Sequence, residues 1–391
     1  MGKIIFITHD IGIYGASKSF QITLKNLIEK GIIKKSEVII VYPKTFRKFA
    51  KIITEKQINN SYLKNLPNKE EWILPTSFGI NVMNVEYNNI FSSEIRRIFK
   101  ILLLYIYWLF KYKKKIKNES IEKIYLNSII LWPVLLVLPK KIKIIMHIRE
   151  ILDFNSNFIA KFAKKLIIKK CHKLIAIDKQ TAKDFENYKE KLVIITNPVD
   201  MKKARDYKEN KYKYLCEKYK IDPKKIHIAL IGRINRRKGH GFFCKLAKDS
   251  DINNIFEFII VGKGQNEYLN IILENTKKMD NLRYLGEIKN IDEIYAITHV
   301  VIRCDDFFPL GRTVWEGLYS GCKVLLPLNK GDNIREINKY LNKEVFLYNS
   351  RDIKSVITEL EKIIKYGFDE KNLPSDNIAE NIKKIKKIFN L

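Results

Sequence analysis

Short apolar runs rich in β-branched residues recur along the chain and alternate with segments of helical periodicity. Continuous apolar runs are typical of strands that are buried on both faces of a parallel sheet. Six such runs lie in the first half: Lys3–Thr8, Glu37–Tyr42, Lys123–Asn127, Lys143–Ile148, Lys173–Ile177 and Lys191–Thr196. Six more lie in the second half: His227–Ile231, Glu257–Val261, Leu282–Leu285, Val300–Cys304, Lys323–Leu326 and Val345–Tyr348. The pattern predicts an α/β protein with two similar doubly wound domains.

A polar segment, Asn197 to Asp222, separates the two sets of runs and marks the junction between the predicted domains. Ligands of doubly wound sheets bind beyond the carboxyl ends of the strands. We therefore expect the chemistry of this protein in the loops that follow the strands.

Two segments have a pattern that bears on membranes. The apolar stretch Ile98–Phe110 has basic flanks, but as a helix it would span about 20 Å, less than the roughly 30 Å of a bilayer core. The segment Phe158–Lys170 is amphipathic, and its predicted apolar face is Ile159, Phe162, Ala163, Leu166 and Ile167. Its predicted basic face is Lys161, Lys164, Lys165 and Lys169. Such a face suits either an anionic lipid surface or plain solvent.

Charge and cysteine content narrow the class of protein. Lys and Arg outnumber Asp and Glu by 73 to 43, which gives a formal net charge of +30 and favours an anionic partner. That partner could be nucleic acid, an anionic membrane or a phosphorylated substrate. The five cysteines stand singly, so neither a disulfide framework nor a zinc site is expected. The short apolar run at the N-terminus ends at His9-Asp10 and predicts a first strand of a cytoplasmic protein.

Four loops at predicted strand ends carry candidate chemistry. Gly15 and Ala16 precede a helix whose N-terminus could face an anion. Arg233 and Lys238 follow the His227–Ile231 strand and could neutralise a diphosphate without a metal. Gly262 and Gly264 would allow a nucleotide to approach the backbone. In the fourth loop, Glu316 stands three residues after Thr313, so it could accept hydrogen bonds from sugar hydroxyls, close a capping box, or do both.

Taken together, these motifs resemble family 4 glycosyltransferases of the GT-B fold. The resemblance rests on Gly232-Arg233 with Lys238-Gly239, on Val261 to Gly264, on Gly311 to Gly317, and on Ser320 to Val324. In the first half it rests on Gly15-Ala16-Ser17, Tyr125 to Ser128, His147 to Glu150, and Asn197 to Asp200. It implies Rossmann-like domains that face each other across a cleft: an acceptor-binding domain at 1–197, a nucleotide-sugar domain at 198–372, and a helix at 373–391 that crosses back.

The resemblance also implies an activity and a set of site residues. It implies transfer of a sugar, with retention, from a nucleotide diphosphate sugar to a glycan or lipid-linked acceptor, as in bacterial surface polysaccharide synthesis, without a cofactor or a metal. The implied catalytic residues are His147, Arg233 and Lys238. The implied donor-binding residues are Gly15, Ala16, Arg233, Lys238, Gly262, Gly264, Gly311, Arg312, Thr313 and Glu316. The implied acceptor-binding residues are Asn127, Arg149 and Glu150. A cytoplasmic enzyme bound peripherally to the inner face of a membrane would fit this reading.

One departure from the family pattern concerns the donor sugar. The family has a second glutamate eight positions before Glu316, where this chain has Phe308, so its contact to the donor sugar is either missing or supplied by Asp305 or Asp306. Within the same fold, a nucleotide-sugar epimerase or a phosphorylase is the alternative. A nucleic-acid-binding protein is suggested by the charge alone, because the chain has no recognition motif and its aromatic residues lie in apolar segments.

Overall fold

The computed structural model describes residues 2–11, 15–43, 58–59, 61–72, 116, 120–249, 254–264, 267–305, 310–328, 337–368 and 373–389. The chain divides into two compact units. Unit 1 comprises Met1–Pro198 and Ile378–Leu391, and unit 2 comprises Val199–Asn377. Both are α/β units built on a parallel sheet, which confirms the predicted fold class.

The sheet of unit 1 has seven described strands in the order β3-β2-β1-β4-β5-β6-β7. They are β1 (Lys3–Ile7), β2 (Val38–Pro43), β3 (Asn68–Trp72), β4 (Ile121–Leu126), β5 (Lys143–Ile148), β6 (Lys173–Ala176) and β7 (Leu192–Ile194). Every neighbouring pair is parallel, so the carboxyl ends of all seven strands lie at one edge. The residues that follow β1, β4 and β5 are therefore neighbours, although they are far apart in sequence.

Helices cover both faces of this sheet. Alternate residues of the buried strands point to opposite faces and pack into two separate hydrophobic cores. The described helices of unit 1 are α1 (Gly15–Glu29), α2 (Phe158–Lys170), α3 (Lys179–Ala182) and α10 (Ile378–Phe389), with a 3₁₀ helix at Ile129–Leu136. Apolar residues of α1 and α10 pack with Phe6 and Tyr125 on one face. Residues of α2 and of the 3₁₀ helix pack with Ile5 and Ile124 on the other.

The sheet of unit 2 has six described strands in the order β10-β9-β8-β11-β12-β13. They are β8 (Ile226–Ile231), β9 (Phe256–Val261), β10 (Leu282–Tyr284), β11 (Val300–Ile302), β12 (Lys323–Leu328) and β13 (Val345–Asn349). The described helices are α4 (Lys202–Tyr219), α5 (His240–Ala247), α6 (Glu267–Lys277), α7 (Ile291–Ile297), α8 (Arg312–Tyr319) and α9 (Ile353–Tyr366). All strand pairs are again parallel, and β8 and β11 are direct neighbours at the centre of the sheet.

All twelve predicted strands are present, and a thirteenth, β3, was missed. Its sequence, Asn-Lys-Glu-Glu-Trp, has no apolar run, and among the described strands it lies at the end of the sheet, beside β2 alone. The polar segment 197–222 is more than a junction, since it contains the helix α4, which buries Ala204, Leu215 and Cys216. The predicted helix at Ile98–Phe110 lies outside the described residues.

Helix α2 has the predicted limits, and its faces differ from the prediction at Phe162 and Lys164. Its buried residues are Ala160, Ala163 and Ile167, which turns Phe158 (82% exposed) and Phe162 (42% exposed) outward. Lys164 is half-buried and lies 2.9 Å from Asp184. The exposed face therefore consists of Phe158, Lys161, Phe162, Lys165 and Lys169. We call it the α2 outer face.

Three further observations concern the described part of the chain. No helix there is long and apolar enough to cross a membrane. The five cysteines are all free and buried. In the same residues, no group of three His, Cys, Asp or Glu side chains is placed to hold a metal ion.

Candidate active site

The loop after β8 carries two of the predicted catalytic residues. Its 3₁₀ turn, Arg236–Lys238, is capped by the Asn235 side chain, which accepts a hydrogen bond from the Lys238 backbone at 3.0 Å. Gly239 then adopts a left-handed φ of +71°, and a Cβ there would lie 2.1 Å from the Cys304 carbonyl oxygen. Glycine is thus required for the loop to lie against the end of β11. This contact brings Lys238 to the neighbouring strand end.

Lys238 forms an ion pair with a buried carboxylate. Its Nζ lies 2.7 Å from Asp305 Oδ2, while Arg303 Nε donates to Asp305 Oδ1 at 2.8 Å. Burial would raise the pKa of Asp305, but the adjacent Arg303 and Lys238 outweigh it and hold the pKa below its ordinary value. The three groups therefore carry one net positive charge, and the Lys238 side chain remains 40% exposed.

Asp305 is one of the two candidates to replace the glutamate that the family has at the position of Phe308. Each of its two carboxylate oxygens is already engaged, one by Arg303 and one by Lys238. Its contacts are those of a residue that orients Lys238. Asp306 and Phe308, the other positions of that argument, lie outside the described residues.

The remaining residues of the β8 and β9 ends differ in exposure. Arg233 is exposed, whereas Gly262 packs against the preceding strand end. A Cβ on Gly262 would lie 1.8 Å from the Gly232 carbonyl oxygen, and a Cβ on Gly264 would lie 3.1 Å from the Cβ of Ile234. Packing of adjacent strand ends is thus a sufficient reason for both glycines.

Helix α8 presents the predicted ribose-binding glutamate. Glu316 is buried, and its Oε1 accepts from Arg312 Nη2 at 2.9 Å while its Oε2 accepts from the Tyr295 hydroxyl at 3.0 Å. The helix starts at Arg312 after Gly311, which caps it without a side-chain hydrogen bond. Thr313 is therefore the second residue of the helix. The suggested capping box of Thr313 and Glu316 is wrong, because that geometry needs Thr313 before the first helical residue.

The N-terminus of α1 carries the predicted donor residues of unit 1. Gly15 has a φ of +55°, and a Cβ there would meet no atom within 4 Å. The Ser17 hydroxyl donates to the Asp10 carbonyl at 2.7 Å and so ties the helix to the loop after β1. The first turn, which includes Ala16, contains no acidic residue. The helix dipole favours an anion at this N-terminus.

The predicted acceptor residues and His147 lie together at the carboxyl edge of the unit 1 sheet. Arg149 Nε donates to Asn127 Oδ1 at 2.9 Å, and Arg149 Nη2 lies 3.2 Å from His147 Nδ1. All three side chains are buried. Glu150 is half-buried and accepts a hydrogen bond from Ser128 at 2.7 Å. Burial and, secondly, the Arg149 guanidinium lower the pKa of His147 well below its ordinary value.

The predicted site residues thus form two groups, one in each unit. Sequence reasoning missed the buried partners that hold them: Tyr125 and Asn197 in unit 1, and Tyr295 and Arg303 in unit 2. Tyr125 and Asn197 stand in quoted motifs, but Tyr295 follows the apolar pattern of an ordinary core helix. No sequence feature separates it from a core residue.

Part of this chain matches a known protein family. Residues 211–384 match the family described as glycosyl transferases group 1. This segment contains the β8 and β9 loops and helix α8. A search of curated proteins finds no match in sequence.

Solved structures share the whole architecture at low sequence identity. HepE of Anabaena in complex with UDP and glucose has a TM-score of 0.67 at 13% identity, with 100% of both chains covered. A glycosyltransferase from Rickettsia africae has a TM-score of 0.63 at 18% identity, covering 99% of this chain and 93% of its own. The UDP-GlcNAc 2-epimerase of Neisseria meningitidis has a TM-score of 0.61 at 12% identity, with 99% of both chains covered. Likeness at this identity establishes the fold, which glycosyltransferases and an epimerase share.

The family match falls on the unit that holds Arg233, Lys238 and Glu316, whereas the likeness over the full chain is one of fold. The chain therefore has the GT-B fold, and its residues 211–384 are similar to glycosyl transferases group 1.

Proposed function

We propose that this protein transfers a sugar from a nucleotide diphosphate sugar to a glycan or lipid-linked acceptor, with retention at the anomeric carbon. The observation that carries the proposal is the strand-end group of unit 2. An exposed arginine, a partly exposed lysine and a buried glutamate lie within the matched family segment. These are the side chains that a diphosphate and a ribose would require. The solved structure of HepE, which shares the fold, is that of its complex with UDP and glucose.

Each group has a distinct part in donor binding. Arg233 supplies a planar set of N–H donors and Lys238 a compact charge, which together stabilise the negative charge that develops on the departing diphosphate. Asp305 holds Lys238 in place from the protein side. Glu316, whose oxygens also accept from Arg312 and Tyr295, offers its remaining lone pairs to the ribose hydroxyls. The proposed donor site needs no metal ion.

The transfer is proposed to proceed on one face of the sugar. The acceptor hydroxyl oxygen forms the new bond to the anomeric carbon, the bond from that carbon to the diphosphate oxygen breaks, and the hydroxyl proton passes to the departing phosphate. His147 is a poor candidate for the base, because burial and Arg149 disfavour its protonated form. A positioning contact to the transferred sugar suits it better.

We further propose that the acceptor belongs to bacterial surface polysaccharide synthesis and is met at the inner face of the membrane. The net charge of +30 and the α2 outer face support peripheral attachment there. The domain that would bind the acceptor carries this face.

Calorimetry and product analysis test the proposal. Arg233→Ala should weaken UDP binding by about 1.5–3 kcal/mol, the range for hydrogen bonds to charged groups. Arg237→Ala is the matched control, because it removes the same charge from the same loop and is expected to bind UDP as the wild type does. Equal affinity of both variants and the wild type would refute the assignment of Arg233.

The same samples distinguish transfer from epimerisation. Incubation with UDP-sugars and an acceptor should release UDP and yield a product with the anomeric configuration of the donor. Formation of an epimeric UDP-sugar without UDP release would overturn the proposal and favour the reaction of the Neisseria neighbour.

A further inference from the structure

Three charged side chains form a network at the end of β11, and we call Arg303, Asp305 and Lys238 the β11 charge network. The Asp305 carboxylate is 3% exposed, and each of its oxygens accepts from one cation. Arg303 Nε donates to Oδ1 at 2.8 Å, and Lys238 Nζ donates to Oδ2 at 2.7 Å. The Lys238 side chain is 40% exposed, whereas that of Arg303 is 9% exposed. One cation of the network therefore meets solvent, and the other is enclosed by protein.

We propose that Arg303 is a positioning residue that acts on Lys238 through Asp305. It compensates the charge of the Asp305 carboxylate, so that this carboxylate fixes Lys238 without cancelling the positive charge that an anionic substrate meets. The identity of that substrate, a nucleoside diphosphate, rests on the proposed function. The charge balance does not, because it follows from the protein groups alone.

The charges of the network determine what Lys238 offers to an anion. Two cations and one carboxylate leave a net charge of +1. Without Arg303, the ion pair of Asp305 and Lys238 would be neutral and would attract an anion only weakly. Burial raises the pKa of Asp305, but the Arg303 guanidinium, together with Lys238, outweighs it and holds the pKa below its ordinary value. Arg303 thus favours the ionised form of Asp305, which is the form that binds Lys238 as an ion pair.

The backbone of Arg303 is held by two hydrogen bonds, and its side chain lies beside the start of α8. The Arg303 backbone N–H donates to the Leu325 carbonyl oxygen at 3.0 Å, and the Tyr348 hydroxyl donates to the Arg303 carbonyl oxygen at 2.6 Å. A Cβ on Gly311, the residue before α8, would lie 3.6 Å from Arg303 Nη1. Arg303 therefore adjoins both parts of the proposed donor site, the loop after β8 and the helix α8.

Other ionisable groups lie near the network in the part of unit 2 that the structure describes. Burial lowers the pKa of His240, the first residue of α5, to about 4, so its imidazole is neutral at pH 7.5. Burial raises the pKa of the Cys304 thiol, which is therefore also neutral. On α8, Arg312 forms an ion pair with Glu316 at 2.9 Å. The net charge beside Lys238 is thus set by the β11 charge network itself.

Carboxyl ¹³C NMR of the full-length protein tests the charge balance without any ligand. Asp305→Asn identifies the Asp305 resonance. In the wild-type protein this carboxyl group should remain ionised at pH 5.0, and Arg303→Met should raise its pKa because the largest of the neighbouring groups that lower it is removed. An Asp305 that titrates at the same pH with and without Arg303 would overturn the proposal.

Calorimetry with UDP at pH 7.5 tests the consequence for anion binding. Arg303→Met should weaken UDP binding by about 10-fold, the order expected for the loss of one nearby charge at a partly exposed site. The double variant Arg303→Met, Asp305→Asn leaves Lys238 with a charge of +1 and should recover most of the affinity. A loss that persists in the double variant would overturn the proposal and indicate that Arg303 contacts the nucleotide itself.

Lys323→Met is the matched control. Lys323 is also a buried cation of unit 2, paired with Glu344 at 2.7 Å, but it starts β12 at the opposite edge of the sheet. The control should lower stability and leave both UDP affinity and the titration of Asp305 unchanged. If it weakened UDP binding as much as Arg303→Met does, the effect of Arg303 would be one of stability and the proposal would fail. Absence of UDP binding by the wild-type protein would contradict the proposed function, and the NMR titration would still decide the charge balance.

Discussion

Replacing three lysines of the α2 outer face should release the protein from anionic membranes. The change is Lys161→Gln, Lys165→Gln and Lys169→Gln, all exposed positions on one side of the helix. Each lysine near an anionic surface contributes about 1 kcal/mol, so the triple variant should bind anionic vesicles roughly 10²-fold more weakly.

The exposed phenylalanines add an apolar contribution. Full burial of a phenylalanine side chain is worth about 1.5–3 kcal/mol. Phe158 and Phe162 are 82% and 42% exposed, so their insertion would contribute together about 2–4 kcal/mol. Phe158→Ser should remove more than half of this contribution, because Phe162 also contacts Trp132 and is less exposed.

Vesicle co-sedimentation measures both effects. A matched control replaces Lys213, Lys245 and Lys354 of unit 2 with glutamine, which lowers the net charge of +30 by the same amount. The control for Phe158→Ser is Tyr214→Ser, since Tyr214 is an aromatic residue of α4 that is 62% exposed. Binding should need anionic lipid and should weaken as salt is raised.

The reasoning would be refuted if the two triple variants bound anionic vesicles equally well. That result would assign any membrane affinity to net charge rather than to α2. If the wild-type protein did not bind anionic vesicles at low salt, the proposal of membrane attachment would be refuted. The proposed transferase activity would be unaffected by that result.

Three further predictions concern stability. Glu316→Ala should lower the free energy of unfolding by about 3–5 kcal/mol because it removes one partner of the buried Arg312–Glu316 ion pair, and urea denaturation should show most of the loss recovered in the double variant with Arg312→Met. Burial lowers the pKa of His240 to about 4, so the unfolded chain binds one proton more between pH 4 and 6.5 and stability must fall as pH decreases through this window. The loss from pH 7.5 to 5.0 should be about 2 kcal/mol smaller in His240→Gln, and an identical loss would contradict the assignment. Gly262→Ala should yield little folded protein by circular dichroism, since its Cβ would lie 1.8 Å from the Gly232 oxygen, whereas Gly367→Ala, at a φ of +86° but with no atom within 4 Å, should fold.

The strands could be predicted from the sequence where both of their faces are buried. Twelve apolar runs identified twelve strands, but β3 has charged residues in place of an apolar run. The outward face of α2 was misassigned at Phe162, because helical periodicity gives the angle between residues and not which side meets the sheet. Ala160 and Ala163 determine that side by packing closely.

Only the outline of the candidate site could be predicted from the sequence. Strand-end loops can be located along the chain, but their partners lie far away in sequence: Lys238 and Asp305 are 67 positions apart, and Asn127 and Thr8 are 119 apart. A parallel sheet brings such residues to one edge, and which of them pair depends on strand order. Strand order was not part of the sequence prediction.

The close approach of Gly239 to Cys304 has a thermodynamic consequence for anion binding. The loop is tied to the end of β11 there, and Lys238 is held a second time through Asp305 at 2.7 Å. Ordering a free lysine side chain costs about 1.5–2 kcal/mol of conformational entropy. Because Lys238 is already paired with Asp305, part of this cost is met before any ligand arrives, so an anion that binds Lys238 should meet a smaller entropic penalty than it would at an unpaired surface lysine.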